Sequence, residues 1–140
     1  VIAGKGELEE ELKELAKSLD VRDHVEFLGF ITDMKGFNQS LDIFALPSLF
    51  EGFCYAQVEA MVLERPVVAF NVSSIPEVVT DTRTGYLVPE KDVAAFAEKL
   101  ALLIENPRLR RELGQNGRQR ILDNFTMQKT FHDFERVINS

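Results

Sequence analysis

The segment Pro66-Val67-Val68-Ala69-Phe70 has no polar face. A strand that is apolar on both sides must be covered on both sides, which is the pattern of an interior strand in a parallel sheet flanked by helices. Val1-Ile2-Ala3, Val25-Glu26-Phe27-Leu28, Asp42-Ile43-Phe44-Ala45-Leu46 and Gly85-Tyr86-Leu87-Val88 read as further strands, with helical stretches between them. Residues 7–18 carry Leu8, Leu12, Leu15 and Leu19 at helix spacing, with Glu7, Glu9, Glu10, Glu11 and Glu14 mostly on the other face. Asp33 is placed to cap a short helix through Ser40. Residues 54–64 form a helix with Tyr55, Val58 and Val62 on one side, and Ile75 to Val79 form a short one. The alternation predicts an α/β fold, a parallel sheet flanked by helices.

Beyond position 90 the pattern is helical only. Val93, Phe96, Ala97, Leu100 and Ile104 form one stripe. Asn106-Pro107 ends that helix and starts a second, which runs to about Asp123. Thr126 is placed to cap a last helix carrying Phe131, Phe134 and Ile138 on one face, and Phe96, Phe131 and Phe134 are expected in the core.

The 140 residues suit a single domain over 1–140, and at 45% hydrophobic they can fill a core. The net charge of −7 has the wrong sign for neutralising phosphates, so nucleic-acid binding is excluded. No run approaches the ~20 apolar residues that span a bilayer. No secretory leader is visible, and the lone cysteine, Cys54, fits a reducing compartment, so a cytoplasmic location is expected. The chain opens on Val1 in what reads as a strand already under way, and it is expected to be a piece of a longer protein.

In parallel sheets, ligands bind at the carboxyl ends of the strands. The loop 47–53, Pro-Ser-Leu-Phe-Glu-Gly-Phe, follows a buried strand and opens a helix. Glu51 puts a carboxylate there, and Gly52 lets a backbone approach a ligand. The helix starting near Cys54 turns its amides and partial positive charge toward the same place, as a phosphate requires. Glu59, eight residues after Glu51, can accept two hydrogen bonds from a vicinal diol. Spacing alone does not separate such a pair from chance.

The longer string carries more. Asp42 to Ser48, Glu51-Gly52-Phe53, Glu59-Ala60-Met61, Pro66-Val67-Val68-Ala69, Ile75-Pro76-Glu77-Val78-Val79 and Thr84-Gly85-Tyr86-Leu87-Val88 follow one another in register. Together with Gly4-Lys5-Gly6 and Leu28-Gly29 they resemble the carboxy-terminal, donor-binding domain of the retaining, glycogen-synthase-like (group 1, family 4) glycosyltransferases, over nearly the whole chain. The most specific element is the glutamate pair separated by seven residues.

The resemblance implies half of a two-domain, B-type fold with a Rossmann-like sheet. It also implies transfer of a sugar from a uridine or guanosine diphosphate sugar to an acceptor, with retention, in glycan, lipopolysaccharide or capsule synthesis. By similarity Glu51 is the catalytic carboxylate, bonding the donor sugar and orienting charge as the bond to phosphate breaks. The amides of Phe53, Cys54 and Tyr55, with Gly52, meet the sugar and phosphates. Glu59 holds the ribose, and the backbone at Phe30 and Ile31 lies beside the base. Ser48 and Lys5 complete the donor-binding set. No metal, no cofactor and no protein nucleophile are implied. The family's upstream arginine and lysine for the diphosphate fall before Val1. So does the amino-terminal domain with the acceptor site and a catalytic histidine, so the isolated chain is expected to transfer nothing.

One departure falls inside the chain. Ser73-Ser74 stands where the family has a glycine pair, and side chains there are expected to narrow the space beside the donor. The alternatives are a non-catalytic nucleotide-binding or assembly module of the same fold, or half of a sugar-nucleotide epimerase. His24 and His132 read as surface or packing residues. Cys54 reads as a small residue at a helix start rather than a nucleophile; the alternative is a reactive thiol, since a helix N-terminus lowers a thiol pKa. Arg108, Arg110, Arg111, Arg118 and Arg120 read as a solvated face, with room for peripheral contact of the full-length protein with an anionic membrane surface. A sheet cut on one side exposes an edge and predicts self-association of the fragment.

Overall fold

The computed structural model describes residues 1–138, which divide into two compact units, 1–37 and 38 onward. In the first unit β1 (Ile2–Ala3) pairs in parallel with β2 (Phe27–Gly29), and α1 (Glu9–Ser18) and a 3-10 turn (Arg22–His24) lie between them. Glu9, Glu10 and Glu11 stand in the first turn of α1, where the helix dipole favours anions. The leucine stripe forms as the spacing requires but is not a core face: Leu8, Leu12, Leu15 and Leu19 are all exposed. Periodicity fixes which residues share a face, not what covers it.

α2 (Met34–Ser40) is capped as expected, with Asp33 Oδ1 accepting from the Gly36 N–H at 2.9 Å. In the second unit β3 (Phe44–Leu46), β4 (Val67–Phe70) and β5 (Gly85–Val88) form a parallel sheet in that order. α3 (Tyr55–Val62) and α4 (Ile75–Val78) make the crossovers. β4 is buried throughout, and its residues divide between two cores. Val67 and Ala69 join Phe44, Met61, Ile75 and Val78 on one face. Val68 and Phe70 join Val88, Phe96, Leu103 and Leu113 on the other. This is the two-sided burial its sequence demands. Gly85, opposite Val67, has room for no side chain: a Cβ there would run into the Val67 carbonyl oxygen and lie 3.1 Å from its nitrogen.

The buried face of α3 is rotated from the expected one. Gln57, Ala60 and Met61 are buried, whereas Tyr55 is 72% exposed and Val58 and Val62 are only partly covered.

The helical segment comprises α5 (Val93–Glu105), α6 (Pro107–Asn124) and α7 (Met127–Ile138). Asn106 caps α6 by accepting from the Leu109 N–H at 3.1 Å, and Thr126 accepts from the Lys129 N–H at 3.3 Å. Phe96 is in the core, but Phe131 is 63% exposed; the side chains of His132 and Phe134 lie outside the described residues. The basic stretch of α6 is not a free solvated face. Arg110 donates to the Leu103 and Ile104 carbonyls that end α5, both at 2.7 Å. Arg118 donates to the Val62 carbonyl that ends α3, and Arg120 to the Glu77 and Val78 carbonyls that end α4. Three of the five arginines thus cap the negative ends of other helices. Among the described residues no helix is long and apolar enough to cross a membrane.

Candidate functional site

Pro47 stops β3, because it has no N–H to extend a ladder, and the chain then runs to Cys54, the residue that caps α3. The first main-chain bond of α3 runs from the Val58 N–H to the Cys54 carbonyl, so the amides ahead of it have no helical partner. Glu51 is half-buried in the loop and Glu59 is exposed at the fifth residue of α3. Cys54 lies between them, buried, and its thiol is held above the usual range. Burial is the main cause. The Gln57 amide opposes it, the charge on Glu51 adds to it, the Ala56 amide opposes it, and the charge on Glu59 adds again. The charges on both acids and the amides of the helix start thus all act on this one thiol.

The local effect of a helix start is outweighed by burial and two acids, so Cys54 is a small buried residue at a helix start and not a thiol with a lowered pKa. Iodoacetamide at neutral pH is expected to modify Cys54 about tenfold or more slowly than free cysteine, with the normal rate regained in denaturant. A native-state rate equal to that of free cysteine would contradict this.

Gly52 carries no left-handed φ, and apart from its two chain neighbours no described residue comes within 4 Å of where its Cβ would sit. Neither backbone strain nor crowding within the chain requires glycine there; the space beside it is open. Phe53 packs edge-on against Tyr55, with ring centroids 5.1 Å apart, and Phe50 is 80% exposed. Ser48 is half-buried at the start of the same loop. Ser73 sits in the left-handed region at φ +49°, which glycine adopts without cost. Ser74 turns its hydroxyl to the Glu51 carbonyl at 3.4 Å. That hydroxyl is engaged with the loop itself.

Lys5, Phe30 and Ile31 belong to the first unit. There the Gly4 N–H donates to the Gly29 carbonyl at 2.7 Å, and Lys5 Cε lies 3.5 Å from where a Cβ on Gly29 would sit. The structure thus brings Lys5 beside the turn that leads into Phe30, which is 71% exposed. Gly29 holds this turn at φ +64°. His24 is exposed in the 3-10 turn. Among the described residues no group of three His, Cys, Asp or Glu side chains is placed to hold a metal ion.

Sequence reasoning missed Gln57 and Asn38, both fully buried with no hydrogen-bond partner for their amide atoms among the described residues. Gln57 stands three and four residues before Ala60 and Met61. That spacing marks it as a core-face position despite its polarity.

Residues 1–120 match the family model described as glycosyl transferases group 1. The chain belongs to the group 1 glycosyltransferases. This glycosyltransferase chain is 32% identical to the capsular polysaccharide biosynthesis glycosyltransferase CapM of Staphylococcus aureus, over 84% of its own length and 31% of CapM. It is 31% identical to the crystallised C-terminal domain of the group 1 protein LpcC from Francisella tularensis, with a TM-score of 0.79 over 86% of this chain and 64% of that one. The crystal structure of Anabaena HepE in complex with UDP-glucose shares the fold at a TM-score of 0.87 and 24% identity, over 98% of this chain and 39% of HepE. The glycosyltransferase chain spans between 31% and 39% of the length of its curated relatives CapM, EpsD of Bacillus subtilis and a Haemophilus influenzae glycosyltransferase. The α/β architecture of parallel strands and flanking helices is that of B-type glycosyltransferases.

Proposed function

We propose that this chain is the donor-binding part of a longer retaining glycosyltransferase that takes a uridine or guanosine diphosphate sugar. The observation that carries the reading is the β3–α3 loop itself: half-buried Glu51, the open space beside Gly52 and the first amides of α3, which have no helical partner, follow one another, and Glu59 stands exposed at the fifth residue of that helix. A diphosphate gains negative charge as it leaves, and preorganised amides at a helix start stabilise that charge without reorganising. The resemblance puts Glu51 on the sugar and Glu59 on the ribose hydroxyls, and the charges agree, because a carboxylate is tolerated at either end of a diphosphate and repelled beside it. Glu51 then faces the positive charge that grows at the anomeric carbon. The amides of Phe53, Cys54 and Tyr55 lie along the phosphates, with Ser48 beside the loop. For the first unit the resemblance adds the backbone at Phe30 and Ile31 beside the base, and Lys5 among the donor-binding residues. HepE was crystallised with UDP-glucose, which supports a nucleotide sugar as the ligand class. CapM, a relative at 32% identity, acts in capsule biosynthesis, which supports a polysaccharide product.

The test is a titration of the chain with UDP-glucose and GDP-mannose, followed by backbone amide resonances. Weak binding is expected, with shifts concentrated between Glu51 and Glu59, and no sugar transfer by the chain alone. Shifts confined to another region would sink the site. Transfer by the isolated chain would sink the claim that it needs a second domain.

A further inference from the structure

The helical segment reaches the Glu51 loop by two routes. Arg120 of α6 donates from Nε to the Val78 carbonyl and from Nη2 to the Glu77 carbonyl, both at 2.7 Å, and so grips the end of α4. Because α4 is a single turn, its other end is close: Ser74, its N-cap, holds the Glu51 carbonyl at 3.4 Å. The second route is aromatic. Phe125, which closes α6, lies 6.1 Å ring to ring from Phe53, two residues after Glu51. The Arg120 guanidinium stands 5.8 Å from the centroid of that Phe125 ring, so one side chain serves both routes. Between the two points of support lies Gly52, with nothing beside it. The loop is thus held from outside on either side of its most pliable residue.

We infer that Arg120 and Phe125 are positioning residues for the Glu51 loop, acting through Ser74 and Phe53 rather than by touching the donor. This rests on the reading of Glu51 as the carboxylate that binds the donor sugar. A planar fork that bonds two successive carbonyls and covers a ring fixes α4 and Phe125 against one another, which a lysine ammonium cannot do. Arg110 makes the same kind of carbonyl contacts, but to the end of α5. It is the natural control for helix capping as such.

The experiment is calorimetric titration of the full-length protein with UDP, GDP, UDP-glucose and GDP-mannose. The variants are R120Q, F125L, S74A, S74T, R110Q, E51Q and the E51Q/R120Q double. R120Q and F125L are each expected to weaken binding of the nucleotide sugar by about 5- to 10-fold. The bare nucleoside diphosphate, held at its Glu59 end, should change by less than about twofold. S74A should act in the same direction more weakly, S74T should restore binding, and R110Q should change neither ligand. In the double variant R120Q should add nothing to E51Q, since both act on one contact. Equal weakening of both ligands, an unchanged sugar affinity, or the same effect from R110Q would overturn the inference. If R120Q fails to fold, F125L and S74A still decide it. If E51Q leaves sugar affinity unchanged, or no nucleotide sugar binds the wild type, the reading of Glu51 itself has failed.

Discussion

Replacing Glu51 by glutamine in the full-length protein is expected to lower kcat for sugar transfer by about 10²- to 10³-fold, while the affinity for the bare nucleoside diphosphate stays within about twofold. The size follows from where the charge develops. Breaking the bond between sugar and phosphate leaves positive charge at the anomeric carbon, and a carboxylate in the place proposed for Glu51 acts where that charge is largest, in the transition state. Glutamine keeps the shape but loses the charge, so its contact with the sugar is weaker in the ground state and weaker still in the transition state. The structure makes this a clean substitution. Among the described residues Glu51 is in no ion pair, so removing its charge strands no counter-ion. Loss of activity therefore should not come with loss of fold, which thermal unfolding of the variant checks. Glu59→Gln is the internal contrast. The ribose contact proposed for Glu59 is one shared by ground and transition states, so its loss should raise the donor KM and leave kcat nearly unchanged. Equal effects of the two substitutions on kcat and KM would remove the division of labour between the acids. An E51Q protein with full kcat would remove Glu51 from the chemistry altogether.

Much of this arrangement is legible in the sequence, and the part that is not has a common cause. Val67 to Phe70 announce burial on both faces because alternation is a local property, and the two cores divide them accordingly. Asp33, Asn106 and Thr126 announce caps because a cap needs only a side chain and an amide three residues on. What escapes the sequence is long-range. The arginines of α6 read as a solvated face until Arg118 and Arg120 are found on carbonyls 56 and 42 residues away. Cys54 shows the same contest within one residue: the helix start is local and lowers a thiol pKa, but burial, which no spacing reveals, is the larger effect. The stripe of α1 is the converse case, a correct period with no cover. At Ser73 the strain of a left-handed φ is invisible from residue type, although the resemblance to a glycine-pair family hinted at it. The glutamate pair stands out in the sequence because both acids lie within one loop and one helix; the contacts of Phe125 with Phe53 and of Arg120 with the end of α4 do not, because they join distant segments.

The largest effect on stability is expected from a single methyl group at Gly114. Glycine in a helix interior costs about 1 kcal/mol relative to alanine, so Gly114→Ala and Gly117→Ala would each stabilise α6 if helix propensity were the only term. α6 packs on the turn that ends α3, where Glu64 adopts a left-handed φ of +61° and the Arg65 N–H donates back to the Ala60 carbonyl at 2.9 Å. A Cβ on Gly114 would run into the Glu64 carbonyl oxygen and lie 2.8 Å from its carbon. Backbone in a hydrogen-bonded turn cannot step aside as a side-chain tip can, so either α6 lifts or the turn opens. Overpacking of this kind costs about 3 kcal/mol, leaving a net loss of about 2 kcal/mol after the propensity gain. For a chain of this size that lowers Tm by roughly 8 °C. At Gly117 the added methyl would sit 3.5 Å from Met61 Cε and 3.7 Å from the Thr84 carbonyl oxygen, which is ordinary contact. There the propensity term prevails, and G117A should match or exceed the wild type by up to about 1 kcal/mol. Urea unfolding of the two variants side by side measures the difference. Opposite signs at two positions three residues apart on one helix are the expected result, and a G114A protein as stable as G117A would mean that α6 does not lie on the end of α3 as closely as its glycine allows.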